Sequence, residues 1–208
     1  MIEKSAEEYQ ALRDGATVVS ADEHGDKVLL LTDGTYLKLF RIKRLFTSAR
    51  INPYWKRFVD NASKLKQLDV PTVEVIEVLT IPSIERTAVH YQPLPGASLR
   101  EVDELDEALV EQLGRFIGEL HDKGIYLRSM HLGNVVKTPE GGLGLIDIAD
   151  MKIRSAPLSN GMRLRNFRHL ARYDEDKVRI APHLNNFVGS FEDRLQQKLK
   201  PLFTQPPG

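Results

Sequence analysis

Two short segments in the second half of the chain carry the side chains best suited to chemistry. The first runs from Leu127 to Asn134 and the second from Leu145 to Asp150. Asn134 and Asp147 both adjoin short predicted strands and offer one amide oxygen and one carboxylate. Mg²⁺ prefers hard oxygen ligands of this kind and usually shares its shell with substrate phosphates and water. The pair therefore predicts a magnesium site that serves a phosphorylated substrate.

A lysine in the first half of the chain could bind the phosphates of such a substrate. Lys38 lies in a predicted strand, on the same face as Tyr36 and Phe40. An ammonium group at the end of a rigid strand can hold the α- and β-phosphates of a nucleotide. Each signal is weak alone, because Asn and Asp in loops are usually turn formers. Their order along the chain is more informative.

The elements that must position these residues change type along the chain. Two strand-like runs flank Asp33-Gly34, which predicts a hairpin with a two-residue type I′ turn. Apolar residues at intervals of three and four predict a helix over 53–68. A second apolar stripe predicts a helix from about Glu104 to Lys123, with Gly124 as its C-terminal cap. The remaining predicted elements are strands at 73–78, 87–91, 135–137 and 143–146, followed by a helical C-terminal region.

Composition excludes several classes of protein. The chain has 208 residues, with 29 Lys and Arg, 29 Asp and Glu, and no Cys. Without Cys there can be no disulfide, no zinc–thiolate site and no thiol nucleophile. The N-terminus lacks an apolar signal segment, and no stretch is long and apolar enough to span a membrane. We therefore expect a cytoplasmic protein, which could also contact the inner membrane peripherally.

A formal charge of zero conceals blocks of one sign. Two segments are rich in Lys and Arg, Arg41–Lys66 and Lys152–Arg172, whereas Glu101–Glu111 is acidic. These blocks are either solvated helix faces or surfaces for an anionic partner. Guanidinium groups suit the phosphates and carboxylates of a glycolipid, a sugar or a lipid headgroup. Nucleic acid is not expected, because no aromatic set interleaves with the arginines and no nucleic-acid motif is present.

Several motifs resemble those of the lipopolysaccharide core kinases, which phosphorylate Kdo or heptose sugars and belong to the protein-kinase-like superfamily. The resemblance covers roughly residues 27–173. Its motifs are Gln92–Arg100, Leu120–Tyr126, the loop with His131, Gly133 and Asn134, and Ile146–Asp150. It implies an α+β, protein-kinase-like two-lobe fold. Residues 1–92 would form a small antiparallel-sheet N-lobe and residues 93–208 a reduced helical C-lobe.

The resemblance also implies an ATP site and a Mg²⁺ site. The ATP site would comprise Gly25 in the loop over the phosphates, Lys38, and the adenine-binding hinge residues Tyr91 and Gln92. The Mg²⁺ site would comprise Asn134, Asp147 and Asp150. The implied activity is ATP- and Mg²⁺-dependent phosphate transfer to a core sugar of lipopolysaccharide or a similar hydroxyl acceptor. An anionic glycolipid or sugar would then be the partner.

The loop over the phosphates departs from the family's glycine-rich pattern, because Gly25 is its only glycine, and two further positions also depart from the family pattern. Ser129 stands where the family has a catalytic aspartate, and a hydroxyl cannot accept a proton as a carboxylate would. His131 could act as a base or only shape the loop, so the candidate catalytic residues are Ser129, His131 and Asp147. In the helix after Lys38, Phe58 occupies the position of the family's glutamate partner. Two alternatives to an enzyme follow: a pseudokinase scaffold in cell-envelope biogenesis, and a basic adaptor for anionic polymers.

Overall fold

A mixed six-stranded sheet dominates the first half of this α+β fold, and helices dominate the second half. The computed structural model describes residues 1–42 and 52–204. The strands are β1 (Ile2–Glu3), β2 (Thr17–Asp22), β3 (Gly25–Leu30), β4 (Tyr36–Arg41), β5 (Glu74–Ile81), β6 (Arg86–Gln92), β7 (Ala97–Ser98), β8 (Ile125–Tyr126), β9 (Val135–Lys137), β10 (Leu143–Leu145) and β11 (Lys152–Ile153). The helices are α1 (Ala6–Arg13), α2 (Tyr54–Gln67), α3 (Glu107–Asp122), α4 (Asn160–Leu170), α5 (Asp174–Ile180), α6 (Leu184–Val188) and α7 (Asp193–Thr204).

The large sheet has the strand order β1-β5-β6-β4-β3-β2. Its neighbours are antiparallel except at one edge, where β1 runs parallel to β5 and Ile2 lies opposite Leu79. The expectation of a purely antiparallel sheet is therefore wrong at this edge. No tight turn joins β1 to β5, so turn geometry does not fix the relative direction of the two strands. Two small sheets, β10-β9-β7 and β11-β8, lie in the second half of the chain.

The hairpin between β3 and β4 forms where predicted, but the predicted turn type is wrong. The backbone nitrogen of Leu31 donates to the carbonyl of Thr35 at 2.8 Å, so the loop has three residues instead of two. A type I′ turn needs two residues with positive φ, whereas only Gly34 has one here, at 84°. The Asp33 carboxylate accepts from the backbone nitrogen of Thr35 at 2.9 Å and from its hydroxyl at 2.6 Å. These two bonds stabilise the wider turn.

Strand β4 separates two apolar cores. Leu37 and Leu39 are buried in the smaller core, together with residues of α1. Tyr36 and Phe40 pack into the larger core, which also contains residues of α2 and of the C-terminal helices. Because side chains alternate along a strand, Lys38 shares the face of Tyr36 and Phe40, as predicted. The alternation therefore places one ammonium group between the sheet and the helices.

Helix α1 lies outside the predicted elements, although its start carries a recognisable signal. The backbone nitrogen of Glu8 donates to the Ser5 hydroxyl at 3.2 Å, and the backbone nitrogen of Ser5 donates to the Glu8 carboxylate at 2.7 Å. This reciprocal pair is a capping box. Tyr9 then packs into the smaller core. Helix α1 thus covers one face of the six-stranded sheet.

Helices α2 and α3 form as predicted, apart from the start of α3. The Asp106 carboxylate accepts from the backbone nitrogen of Leu109 at 2.8 Å and caps the helix, so α3 begins at Glu107 and not at Glu104. Gly124 has a φ of 75° and ends α3 in the expected way. No helix in the described part of the chain has the length and apolar character needed to cross a membrane.

The long helix α3 ends in a buried polar network around His121. The imidazole is completely buried, and its Nε2–H donates to the side-chain oxygen of Asn166 at 3.0 Å. The Asn166 amide nitrogen in turn donates to the carbonyl of Leu127 at 2.6 Å. Burial lowers the pKa of His121 to about 4, although the contact with Asn166 opposes this shift. The network joins α3, α4 and the segment that leads to Ser129.

We expect His121 to make the folded protein less stable in mild acid. In the unfolded chain a histidine has a pKa of about 6.5, so between that value and the lowered folded pKa the unfolded state binds the extra proton. The free energy of unfolding is therefore highest above pH 6.5 and falls as the pH is lowered, by about 2 kcal/mol at pH 5. Urea unfolding at pH 7 and pH 5 measures it.

The matched variant is His121→Gln, whose amide can replace the Nε2 contact with Asn166 without titrating. Its free energy of unfolding should change less between the two pH values than that of the wild type. Equal pH dependence in the two proteins would show that His121 is not the responsible group.

Candidate functional site

Four of the predicted site residues line one cavity of about 880 Å³: Lys38, Ser129, Asp147 and Asp150. Strand β4 supplies the lysine, the loop after β8 supplies the serine, and the turn after β10 supplies the two aspartates. The hairpin between β2 and β3 and the first turn of α2 form further walls. The fold therefore brings together side chains that are remote in sequence.

An ion pair crosses this cavity. The Nζ of Lys38 lies 2.6 Å from Oδ1 of Asp147, and the two side chains are 18% and 51% exposed. The ring of Phe58 on α2 lies beneath the ammonium, 5.4 Å from Nζ to the ring centroid. An aromatic face attracts a cation, but it cannot neutralise the charge as a carboxylate does. Asp147 is thus the charged partner of Lys38, whereas α2 contributes only the aromatic ring of Phe58.

Asp147 has an unusual backbone conformation. Its φ of 52° and ψ of 54° place it in the left-handed region, which costs about 1–3 kcal/mol for a residue with a side chain. Asn61, buried on α2, stabilises the turn that follows. Its amide nitrogen donates to the carbonyls of Ile148 at 2.7 Å and Met151 at 3.1 Å. Asn61 was not among the predicted site residues, although a polar side chain between the buried residues of α2 was a visible signal.

Ser129 connects the two loop segments. Its hydroxyl donates to Oδ1 of Asp150 at 2.8 Å, and its carbonyl accepts from the side-chain nitrogen of Asn134 at 2.8 Å. The backbone nitrogen of Ile146 donates to the carbonyl of Asn134 at 3.0 Å. The serine hydroxyl is therefore oriented by a carboxylate, and Asn134 is fixed between the two segments.

The donor set fits Mg²⁺ in its chemistry. Asp147, Asp150 and Asn134 offer two carboxylates and one amide oxygen, all hard donors that Mg²⁺ accepts when phosphates and water complete its shell. Within residues 1–42 and 52–204, no three His, Cys, Asp or Glu side chains form a group that could bind a metal by themselves. Asn134 is buried outside the walls of this cavity, so any Mg²⁺ beside Asp147 and Asp150 would depend on the oxygens of a bound phosphate and of water.

His131 lies apart from the cavity walls. Its ring packs edge-on against Tyr173, with the ring centroids 5.0 Å apart. Its Nδ1 is buried and, among the described residues, has no hydrogen-bond partner. Burial, assisted by the positive charge of Arg100, lowers its pKa, so the imidazole is neutral at neutral pH. The packing contact favours a role in shaping the loop over contact with a substrate in this cavity.

The predicted nucleotide-binding residues other than Lys38 lie outside the walls of this cavity. Gly25 begins β3 with a φ of 106°, and its neighbours Asp26 and Lys27 reach the cavity instead. Tyr91 stacks on Tyr36 with 5.7 Å between ring centroids, and burial raises its pKa. Gln92 ends β6 and is exposed. The Tyr36–Tyr91 pair therefore lies where β4 begins and β6 ends, on the face of β4 that carries Lys38.

A buried carboxylate fixes the loop that carries Ser129. Asp176 on α5 has no exposed surface, and it accepts from Nε of Arg100 at 2.8 Å and from the backbone nitrogen of Leu132 at 2.9 Å. The Arg100 guanidinium also lies over the ring of Tyr173, 5.0 Å from its centroid. Sequence reasoning missed this group, because its members come from three separate parts of the chain and carry no local pattern.

The sequence was also compared with known proteins. No model of a protein family matches the chain, and no curated protein matches it either. Function is therefore inferred from the site geometry and from the sequence motifs.

Replacing Asp176 should destabilise the fold and disorder the loop around Ser129. Asp176→Asn removes a negative charge beside Arg100. It also places amide hydrogens where a carboxylate oxygen now accepts from Arg100 or from the backbone nitrogen of Leu132. Leaving buried donors without their acceptor costs about 1–3 kcal/mol, and Arg100 keeps its contact with Glu175. Chemical denaturation measures the loss, and amide hydrogen exchange at Leu132 measures the local effect. Glu175→Gln is the control, because Glu175 also contacts Arg100, at 2.5 Å, but is exposed. Equal losses in the two variants would contradict this assignment.

Proposed function

We propose that this chain is a kinase-like protein of two lobes, residues 1–92 and 93–208, that binds ATP in the cavity lined by Lys38 and Asp147. The ion pair between these side chains carries the proposal. It joins a sheet strand to the turn after β10 at 2.6 Å, in the chain order seen in kinase-like proteins. An ammonium and a carboxylate held together in a cavity offer one group for phosphate and one for a cation.

Each candidate side chain has a role in this proposal. Lys38 would hold the nucleotide phosphates, and the end of β6 near Tyr91 and Gln92 would meet the base. Asn134, Asp147 and Asp150 would hold Mg²⁺, which supplies charge neutralisation at the phosphates when it is bound. Because phosphoryl transfer depends mostly on positioning and electrostatics, these groups cover most of what the reaction needs.

In the proposed reaction, the Asp150 carboxylate would accept the proton of the acceptor hydroxyl. An acceptor hydroxyl forms a bond to the γ-phosphorus while the bond from that phosphorus to the bridging oxygen of ADP breaks. The hydroxyl proton passes to the Asp150 carboxylate, directly or through the Ser129 hydroxyl, which already donates to Asp150 at 2.8 Å. Ser129 would thereby orient a proton acceptor that stands three residues beyond Asp147.

The proposed acceptor is a core sugar of lipopolysaccharide or a similar hydroxyl compound. This part rests on the resemblance of residues 27–173 to the lipopolysaccharide core kinases and on the excess of exposed arginine near the Ser129 loop. An anionic sugar or glycolipid is the class of molecule that such a surface would attract. A protein with this acceptor would act at the inner face of the membrane.

A pseudokinase is the second candidate, and two observations favour it. Ser129 stands in the place of a catalytic aspartate, and Phe58 lies under Lys38 where a glutamate would pair with it. A protein with these features could bind nucleotide without transferring phosphate and act as a scaffold in envelope assembly. The third reading, a basic adaptor without nucleotide, leaves the Lys38–Asp147 pair without a role.

ATP with MgCl₂ should raise the melting temperature of the wild-type protein. A ligand at one hundred times its Kd adds about 2.7 kcal/mol of stability, which corresponds to about 5 °C or more for a chain of this size. Lys38→Met should lose the shift, and Asp147→Asn should lose the part that depends on Mg²⁺, since Asn tolerates the left-handed backbone.

Lys64→Met is the matched control, because Lys64 is exposed on α2 outside the cavity walls. It should keep the full shift. No shift for the wild type with ATP, with or without Mg²⁺, would remove both the phosphotransferase and the nucleotide-binding pseudokinase.

Asp150→Asn should slow phosphate transfer to purified lipopolysaccharide core oligosaccharide by about 10²-fold or more, while the part of the ATP-induced melting shift that does not depend on Mg²⁺ persists. A carboxylate added by Ser129→Asp alone would lie against Asp150, and like charges at this distance favour protonation of one of them. The double variant Ser129→Asp/Asp150→Ser moves the carboxylate and should recover part of the rate. Mass spectrometry measures the product. Nucleotide binding without product in the wild type would favour the pseudokinase.

A further inference from the structure

Three arginines form an exposed cluster beside the loop that carries Ser129. We define the arginine cluster as Arg128, Arg165 and Arg172. We propose that the arginine cluster binds a phosphomonoester group on the acceptor molecule. The identification of that molecule as the acceptor rests on the proposed function, whereas binding of a phosphomonoester to the cluster can be measured without it.

A contact between Tyr126 and His169 brings the three arginines together. The Tyr126 hydroxyl and Nε2 of His169 are 2.9 Å apart, and the two rings meet edge-on with 5.9 Å between centroids. This contact joins β8 to α4. Arg128 follows Tyr126 by two residues, and Arg165 lies four residues before His169 on α4, a neighbouring position on a helical surface. Arg172 follows in the turn after α4, where its backbone nitrogen donates to the carbonyl of His169 at 3.3 Å. The three side chains therefore start from positions around one imidazole.

The electrostatics of His169 agree with this placement. Burial lowers its pKa, and the positive charges of Arg172, Arg128 and Arg165 lower it further. The carboxylate of Asp150 acts in the opposite direction. All three arginine charges therefore act on the His169 ring. The Asp150 carboxylate of the proposed site acts on the same ring.

Among the described residues, the arginines of the cluster make no side-chain hydrogen bond or ion pair, unlike Arg163 on α4. Arg163 donates to the carbonyl of Leu158 at 2.9 Å and pairs with Asp122 at 2.5 Å. No ion pair within residues 1–42 and 52–204 includes a member of the cluster. Lys152, opposite Tyr126 in the β8–β11 pair, adds another exposed cation. Like charges left together repel one another, and an anion would relieve this repulsion.

A phosphomonoester is the anion that matches this cluster best. It carries about −1.5 to −2 charges at pH 7 and three acceptor oxygens, whereas a carboxylate carries one charge. Guanidinium groups bind such oxygens through pairs of parallel N–H bonds. Because Arg128 directly precedes Ser129, a molecule bound here by its phosphate would reach toward the Ser129 hydroxyl and Asp150. The cluster would thereby select acceptors that already carry a phosphate.

Calorimetric titration with mannose 6-phosphate tests the proposal, with mannose as the uncharged match. Wild-type protein should bind the phosphate ester and not the sugar, and each of Arg128→Gln, Arg165→Gln and Arg172→Gln should weaken binding by about tenfold. Arg115→Gln is the control, since Arg115 is an exposed arginine on α3 paired with Glu111. Vesicles of phosphatidylcholine with and without phosphatidic acid distinguish a lipid headgroup from a free sugar phosphate as the source.

Binding of either phosphomonoester that is lost in the cluster variants and retained in Arg115→Gln and Lys38→Met would support the proposal. Phosphate binding that survives in the cluster variants but disappears in Lys38→Met would overturn it, because the ester would then occupy the proposed nucleotide cavity. Absence of binding to both probes would also overturn it. None of these outcomes depends on ATP, so a failure here is distinct from a failure of the melting-shift experiment with ATP.

Discussion

The carboxylate of Asp176 is the group on which the arrangement of the second half of the chain depends. It is completely buried, and it joins the Arg100 guanidinium after β7 to the backbone of Leu132 in the Ser129 loop. A buried charge is tolerated only when its partners are fixed, so the segments that supply them must occupy one relative position. Arg179 strengthens the connection by donating to the carbonyls of Arg100 and Val102.

Two further side chains, which make three hydrogen bonds, complete this framework from the other side. Asn61 fixes the turn after Asp147 to α2, and Lys123 donates to the carbonyl of Leu68, which joins the ends of α2 and α3. Each of them donates to backbone carbonyls at the end of a helix or a turn. The cavity is therefore shaped by polar contacts, whereas the apolar cores on the two sides of β4 supply most of the burial.

Local pattern was sufficient to predict the hairpin around Gly34, helices α2 and α3, and the cap at Gly124, because each depends on residues close in sequence. Local pattern did not predict the turn type, which depends on the two hydrogen bonds from Thr35 to Asp33. It also did not predict β1, whose partner β5 is remote in sequence. The candidate side chains of the cavity were found from their order along the chain. Asp176 was not, since a bond to a distant amide leaves no periodic signal. Asn61 stood out as a polar residue among the buried residues of α2, but nothing in its neighbourhood indicated its distant partners.

The ion pair between Lys38 and Asp147 also bears on how the protein folds. Its partners are 109 residues apart in sequence. Closing a loop of that length costs conformational entropy before the contact can stabilise the chain. Hairpins and helices form from neighbouring residues and can precede it. We therefore expect this pair to form late, so that substitutions at Lys38 change the unfolding rate more than the folding rate. Variants of these two side chains could then be compared without altering the route by which the rest of the fold forms.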